Sequence, residues 1–250
     1  KSNGWEFILQ HVGNIHTLKY DVSVQGTFAN NKITRIDDPA NGAAWEKRLG
    51  RPLGFSAGYR ALGLFQSEEE IDQWYGGKQF GERQAPGDIR YADVNGDGKI
   101  TDQDQDVISN YDALPQIMYG ISGGLRWKNF DMDFLFQGAA RRSSILSMEA
   151  ITLFRGGKYN SFEYLSDAWS PENTDAKYPR ATIDANFKNN RYSTFWLRNA
   201  YYLRLKAMNI GYTFKSSWIA QHNRTLRIYV AGANLFTWSP FREFDPEAES

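Results

Sequence analysis

From Trp5 onward, long stretches of the chain alternate apolar and polar residues with a period of two. WEFILQHV sets Trp5, Phe7 and Leu9 against Glu6 and Gln10, and LKYDVSVQGTF sets Leu18, Tyr20, Val22 and Val24 against Lys19, Asp21, Ser23 and Gln25. Successive side chains of a strand point to opposite faces, so each stretch predicts a strand with one apolar and one polar face. The GNIH between them predicts a hairpin turn. Ile117, Tyr119 and Ile121 lead into a glycine-softened strand ending at Trp127, followed by a Lys-Asn turn and a strand with Met132, Phe134 and Phe136 on one face. In AYYLRLKAMNIGYTF, Leu203 and Leu205 share a phase that slips after Ala207, so Met208, Ile210, Tyr212 and Phe214 carry the apolar face. A one-residue slip in mid-strand predicts a β-bulge. TLRIYVAGANLFTW, after a KSSWIAQHN turn, closes the set with Leu226, Ile228 and Val230.

Between the hairpins, residues 65–112 and 138–196 show little periodicity and read as long connections. SEEEIDQWY predicts a short helix capped by Ser67, with Glu70 in the capping-box position. SFEYLSDAW predicts another. Strands of roughly 9 to 14 residues with one apolar face, aromatics near their ends, and short turns alternating with long loops have the character of a transmembrane barrel. A soluble β-sandwich alternates too, but its strands average about 5 to 6 residues.

Composition narrows the classes. The 250 residues carry 29 acidic and 29 basic side chains, so no global field recruits nucleic acid. The absence of cysteine excludes disulfides, thiolate catalysis and iron–sulfur ligation. No apolar run approaches the roughly 18 residues of a membrane helix, and the chain opens without a signal-peptide pattern, as a piece of a longer polypeptide is expected to do.

One stretch has the spacing of a chemical device. In DVNGDGKITDQD, Asp93, Asn95 and Asp97 stand at positions 1, 3 and 5, Gly98 at the sharp turn, Lys99 at the carbonyl position and Asp104 at position 12. Hard oxygens at alternating positions of a curling loop suit Ca²⁺. The short Asp at position 12 points to a structural site, and an Asx-rich turn without metal is the plainer alternative. Other motifs carry less. Gly54–Gly58 and Gly120–Gly124 both match G-x-S-x-G, but neither lies between a strand and a helix as a nucleophile elbow requires. Asp131 and Asp133 share a strand face about 7 Å apart, which is compatible with paired catalytic carboxylates and better read as a polar surface. His11, His16 and His222 have no metal-ligand spacing. The 138–196 connection interleaves Tyr159, Phe162, Tyr164, Trp169, Tyr178, Tyr192 and Trp196 with polar residues. Such aromatics suit sugar faces, a protein interface, or packing of the loop onto itself.

Several of these stretches, in order, resemble one family, the SusC/RagA-type TonB-dependent transporters of Gram-negative outer membranes. YRALGLFQSEEEID with PGDIRYADVNGDGKITDQDQDVI is similar to the stretch around that family's calcium-loop-like insert, here residues 86–112. LPQIMYGISGGLRWKNFDMDFLFQGA is similar to its P-x-x-x-Y-G and F-D-x-x-x-x-F-Q-G strands, and WSPENTDAKYPRA to its W-x-P-E-N loop. LRNAYYLRLKAMNIGYTF and LRIYVAGANLFTWS are similar to its Y-L-R-L-K and G-x-N-L-F-T-W strands.

The resemblance implies an all-β fold: residues 1–250 as a C-terminal portion of a roughly 22-stranded antiparallel transmembrane β-barrel. The plug domain, the carboxypeptidase-like extension, the TonB-contacting segment and the final strand are not in the sequence, and residues 138–196 are a long extracellular loop. It further implies nutrient import of glycans or peptides across the outer membrane. The partners implied are a SusD-like surface lipoprotein, the TonB complex through N-terminal regions, and membrane lipid. No catalysis is expected. The site residues carried forward are Asp93, Asn95, Asp97, Lys99 and Asp104 for structural Ca²⁺, and Tyr159, Trp169, Tyr178, Tyr192 and Trp196 for substrate or partner contact. The alternative from the residues alone is a secreted β-sandwich with a calcium-stabilised carbohydrate-binding or adhesion role.

Overall fold

The structure, a computed structural model, describes residues 1–154, 157, 160–182, 188–215 and 224–248. Six long strands form one antiparallel sheet: β1 (Ser2–Ile15), β2 (Leu18–Asn31), β3 (Ile117–Trp127), β4 (Phe130–Ala140), β5 (Tyr202–Phe214) and β6 (Leu226–Trp238). They pair in chain order, so the sheet is an up-and-down meander whose edges are β1 and β6. The strands run 11 to 14 residues, enough to cross a bilayer, which takes about 9 to 11 residues at the usual tilt. The first hairpin turns at His16–Thr17, because Gly13–Ile15 still pair with β2, two residues later than GNIH suggests. His16 and Lys128 make the tight turns with φ of 53° and 54°. The KSSWIAQHN turn lies outside the described residues.

The register places Val22, Gly123, Phe134, Met208 and Gly232 side by side across five strands. Every second residue from that row is apolar or glycine except Asn30, Asn234 and, where β5 shifts phase, Lys206, and among the described residues no second sheet or helix covers this face. Ile121, Trp127, Phe130 and Ile210, on inner strands with neighbours on both sides, are 38 to 50 % exposed. A sandwich would bury these side chains against a second sheet; a continuous uncovered apolar face is what lipid replaces. The glycines of this face are filled from neighbouring strands. A Cβ on Gly123 would meet the Phe134 ring at 2.7 Å, and one on Gly138 the Tyr119 ring at 2.3 Å.

Aromatic rings close both ends of the face. At the turn end, Trp127, Phe130, Tyr212 and Phe214 form a contiguous chain of ring contacts, with the Lys128 ammonium 4.7 Å from the Trp127 ring. At the other end Trp5 meets Phe28, and Tyr201 meets Trp238. Amphipathic rings favour the membrane–water boundary, so the two belts mark its height. The opposite face is polar and ion-paired: Arg126 holds Asp133 at 2.8 Å and Arg227 holds Asp131. Asp133 is thus neutralised from the adjacent β3, and Asp131 from β6, whose Arg227 reaches across Gly211 of β5, as the polar-surface reading expects. The predicted bulge falls at Lys206, one residue before the slip read from the sequence. Ala207 and Leu205 pair with the adjacent Leu135 and Phe136, leaving Lys206 without a partner in β4.

The two connections are longer than their sequence limits. Residues 32–116 join β2 to β3, and residues 141–201 join β4 to β5; the second starts later than its sequence limit, because Gly138–Ala140 still belong to β4, and ends later, because β5 begins only at Tyr202. Both leave the sheet at the end opposite the tight turns and fold together. Within the first connection, Ser56–Tyr59 pairs with Gln105–Ser109, and Ala61–Leu64 with Ile89–Tyr91. Within the second, Ser143–Ile145 pairs with Leu197–Asn199. The region read as a 86–112 insert is therefore woven into this layer. Helix α1 (Glu68–Gln73) forms as predicted, with the Ser67 hydroxyl accepting from the Glu70 amide. The reciprocal bond goes one residue further back: Glu70 accepts from the Gln66 amide rather than from Ser67. SFEYLSDAW yields only one 3-10 turn, Glu163–Ser166.

The hydrophobic core lies in this loop layer. Tyr59, Ile89, Tyr91, Ile100, Leu146, Leu165, Tyr178, Trp196 and Phe241 bury one another there, and the sheet contributes none of them. Phe241 belongs to a final strap, residues 239–248, that returns from β6 beneath the loops.

Candidate functional site

The loop at residues 93–104 is built from its own side chains. The Asp93 carboxylate accepts from the Gly96 and Gly98 amides at 2.7 and 2.9 Å. Asn95 accepts from the Asp97 amide, and Asp97 from the Lys99 amide. Asp104 is fully buried and gathers the Val94, Asn95 and Thr101 amides. Gly98 has φ of 79°, the left-handed conformation the turn requires. Burial acts to raise the Asp93 pKa, but donation from Gly98, Gly96 and Asp97 outweighs it and holds the carboxyl below its ordinary value. The donors are the hard oxygens that Ca²⁺ prefers, and the loop curls as such a site does. Among the described residues, however, no three His, Cys, Asp or Glu side chains converge as a metal cluster. A cation would have to compete with the amides that already hold these carboxylates.

This loop is clamped to the second connection. Asp102 accepts from the Tyr59 hydroxyl at 2.9 Å and from Arg191 at 2.8 Å, and the Arg191 guanidinium lies 3.5 Å from the Phe80 ring centroid. Burial, followed by the bond to Asp102, pushes the Tyr59 hydroxyl up to about 12. Ile100 is buried in the shared core, and its carbonyl accepts from the Phe80 amide. No sequence period announces Arg191, because its carboxylate partner Asp102 lies 89 residues away.

The aromatics of the second connection do not assemble into one ligand surface. Trp196 is 1 % exposed, stacks on Tyr178 and donates its indole N–H to the Asn189 carbonyl at 2.6 Å. Tyr178 is buried too, with its hydroxyl pointed at Glu243 and its pKa raised by burial. Glu243 stays below its ordinary value because Arg198, 2.7 Å away, outweighs the effect of burial. Trp169 is half-buried over Gly87 and donates to Gln66. These three therefore pack the loop layer. Tyr192 is 51 % exposed, and its backbone carbonyl accepts from the Tyr59 amide. Tyr159 lies outside the described residues, as does His222. His11 stacks on Tyr20 on the apolar face, and His16 occupies a turn. Ser56 opens a short strand and Ser122 sits within β3, so neither G-x-S-x-G serine occupies a strand-to-helix elbow.

A third group escapes any reading of periodicity. Arg204, on the polar face of β5 and 4 % exposed, holds Asp245 at 2.5 Å and Glu247 at 2.8 Å. Lys206, the bulge residue, reaches Glu247 at 2.7 Å. The strap is thereby pinned across the mouth of the polar face.

No family model matches the chain. It is 32 % identical to TonB-dependent receptor P3 of Formosa agariphila, over 99 % of this chain and 25 % of that protein. TonB-dependent receptor P26 of the same organism is 27 % identical over 100 % of this chain and 26 % of its own length. TonB-dependent receptor SusC of Bacteroides thetaiotaomicron is 22 % identical over 92 % of this chain and 22 % of its own length. The chain thus spans about a quarter of the curated relatives it matches. Among solved structures, the RagAB peptide transporter superposes with a TM-score of 0.69 at 19 % identity, covering 98 % of this chain and 26 % of that one. That likeness bears on the fold: the six-stranded sheet is a section of such a barrel's wall. Matched along its whole length by named receptors and by this fold, the chain belongs to the SusC/RagA-like TonB-dependent receptors.

Proposed function

We propose that the receptor containing this chain imports glycan or peptide nutrients across the outer membrane, working with a SusD-like surface lipoprotein that closes over the barrel mouth. The observation that carries this reading is the pairing of an uncovered apolar sheet face with an ion-paired polar one, beneath a loop layer that has its own core. The first needs lipid, the second tolerates a water-filled lumen, and the third gives a partner a rigid surface to meet. The exposed Tyr192 is the aromatic best placed for such contact. TonB engagement would fall to regions outside this chain. The receptor should fractionate with outer membrane, require detergent, and retain a surface lipoprotein and a bound oligomer when purified from native cells. Recovery of the full receptor as a soluble, partnerless protein would overturn the proposal, and mass spectrometry of the retained oligomer separates glycan from peptide.

Within that reading, Ca²⁺ at Asp93, Asn95, Asp97, Lys99 and Asp104 is structural. The supporting facts are the hard-oxygen donor set and the left-handed Gly98. Asp97→Ala is expected to abolish Ca²⁺ binding in equilibrium dialysis of the purified receptor and to open residues 93–104 to protease. If the parent protein binds no Ca²⁺, or the variant is cut no faster, the metal has no role there.

A further inference from the structure

We propose that Arg142, Arg204 and Lys206 form a binding site for a carboxylate of the imported substrate, and that the strap carboxylates Asp245 and Glu247 occupy it in the structure described. The inference rests on the importer reading and names the chemistry of what is imported.

The argument begins with charge. Arg204 is 4 % and Arg142 5 % exposed, and Lys206 stands on the same polar face beside Arg204. Asp245 and Glu247 answer Arg204 and Lys206. Among the described residues Arg142 has no carboxylate partner: its one hydrogen bond from the guanidinium there goes to the Ala248 carbonyl, at 3.3 Å. Among the described residues two buried guanidiniums and the partly exposed Lys206 thus meet two anions that are themselves partly exposed, and Glu243 does not redress the balance because Arg198 holds it. A buried guanidinium without a counter-charge is costly, and that cost falls when an anion enters.

The second observation is unspent donors. The Nε atoms of both Arg142 and Arg204 are buried and have no hydrogen-bond partner. A guanidinium grips a carboxylate through parallel N–H groups, so an unused Nε is the mark of an incomplete fork. There is room beside each. Arg142 lines a cavity of about 300 Å³ with Arg198 and Tyr201, and Arg204 lines one of about 530 Å³ with Arg242 and Phe244. The anions now present belong to a short strap whose polar attachments can exchange for those of a ligand. The bulge contributes directly, because it adds Lys206 to the residues facing this side of β5.

The source of the carboxylate can be a peptide C-terminus or an acidic sugar, and two probe pairs separate them. The full receptor, purified in detergent, is titrated with a peptide bearing a free C-terminus against its C-terminal amide, and with an oligogalacturonate against a neutral galactose oligomer. Glu247→Gln removes a competing anion and should raise affinity for the carboxylated member of one pair about tenfold, leaving its uncharged counterpart unchanged. Arg142→Met on that background should cancel the gain; Arg204→Met should do the same but also loosens the strap, so Arg142 is the cleaner test. Which pair responds identifies the carboxylate's source. If neither carboxylated probe outbinds its uncharged counterpart, in parent or Glu247→Gln receptor, the site is only a structural ion-pair network. Outer-membrane assembly is scored in parallel: variants that assemble normally yet show no charge preference sink the carboxylate site and leave the importer reading standing.

Discussion

Trp196→Ala is expected to unfasten the loop layer while leaving the sheet assembled, at a cost of about 3–5 kcal/mol to the layer's own stability. Trp196 is buried, stacks on Tyr178, meets Phe195 edge-on at 4.9 Å, and its indole N–H is the partner of the Asn189 carbonyl. Truncation opens a large cavity and removes the indole donor from the Asn189 carbonyl together, and cavity creation with loss of a buried hydrogen bond is a common cause of a large loss. Limited proteolysis should show rapid cleavage within residues 141–201 and also within residues 56–109, because Tyr59 and Ile100 share that core. Cleavage confined to the second connection would mean that the two loops fold independently, against the shared core described above.

Phe134→Arg carries the other large effect, and it acts on the wall. Phe134 lies in mid-strand on the apolar face, over Gly123 and beside Met208. An arginine at such a depth costs about 2–4 kcal/mol where the side chain meets lipid. It also strips Gly123 of the ring that fills its missing side chain. Refolding into liposomes, followed by heat-modifiable mobility on gels, should show a reduced folded fraction. Asp133→Asn, one residue away on the opposite face, should assemble far better, since it loses only a half-exposed ion pair with Arg126. Equal assembly of Phe134→Arg and the parent would mean that this face does not contact the bilayer.

The wall could be read from the sequence because its physics is local. A period of two, turns between matched runs and a one-residue slip located β1 to β6 and the bulge near Lys206. The errors were small shifts at ends, as at GNIH, where the strand runs on to Ile15. The loop layer was readable in composition only. Its aromatic richness was visible, but whether Trp196 faces a ligand or a core depends on contacts between residues far apart in the chain. Tyr178 and Trp196 turned inward, while Tyr192 stayed out. The Arg191 clamp and the Arg204 strap lay beyond any pattern, since each joins single charges across long separations. The spacing of residues 93–104 shows the oxygen donors of a curled loop, and the amides that hold those oxygens appear only in three dimensions.

The meander also sets an order of assembly. Hairpins β1–β2, β3–β4 and β5–β6 join neighbours in sequence, and the first two close over two-residue turns. The β2–β3 and β4–β5 seams, by contrast, must find each other across residues 32–116 and 141–201. Closing so long a segment carries an entropic cost that grows only slowly with length, each doubling adding about 0.6 kcal/mol, but it must be met before any seam hydrogen bond forms. A loop layer that folds on its own core draws both seams shut, so the same residues that cap this end of the sheet also serve as the jig on which three hairpins become one wall.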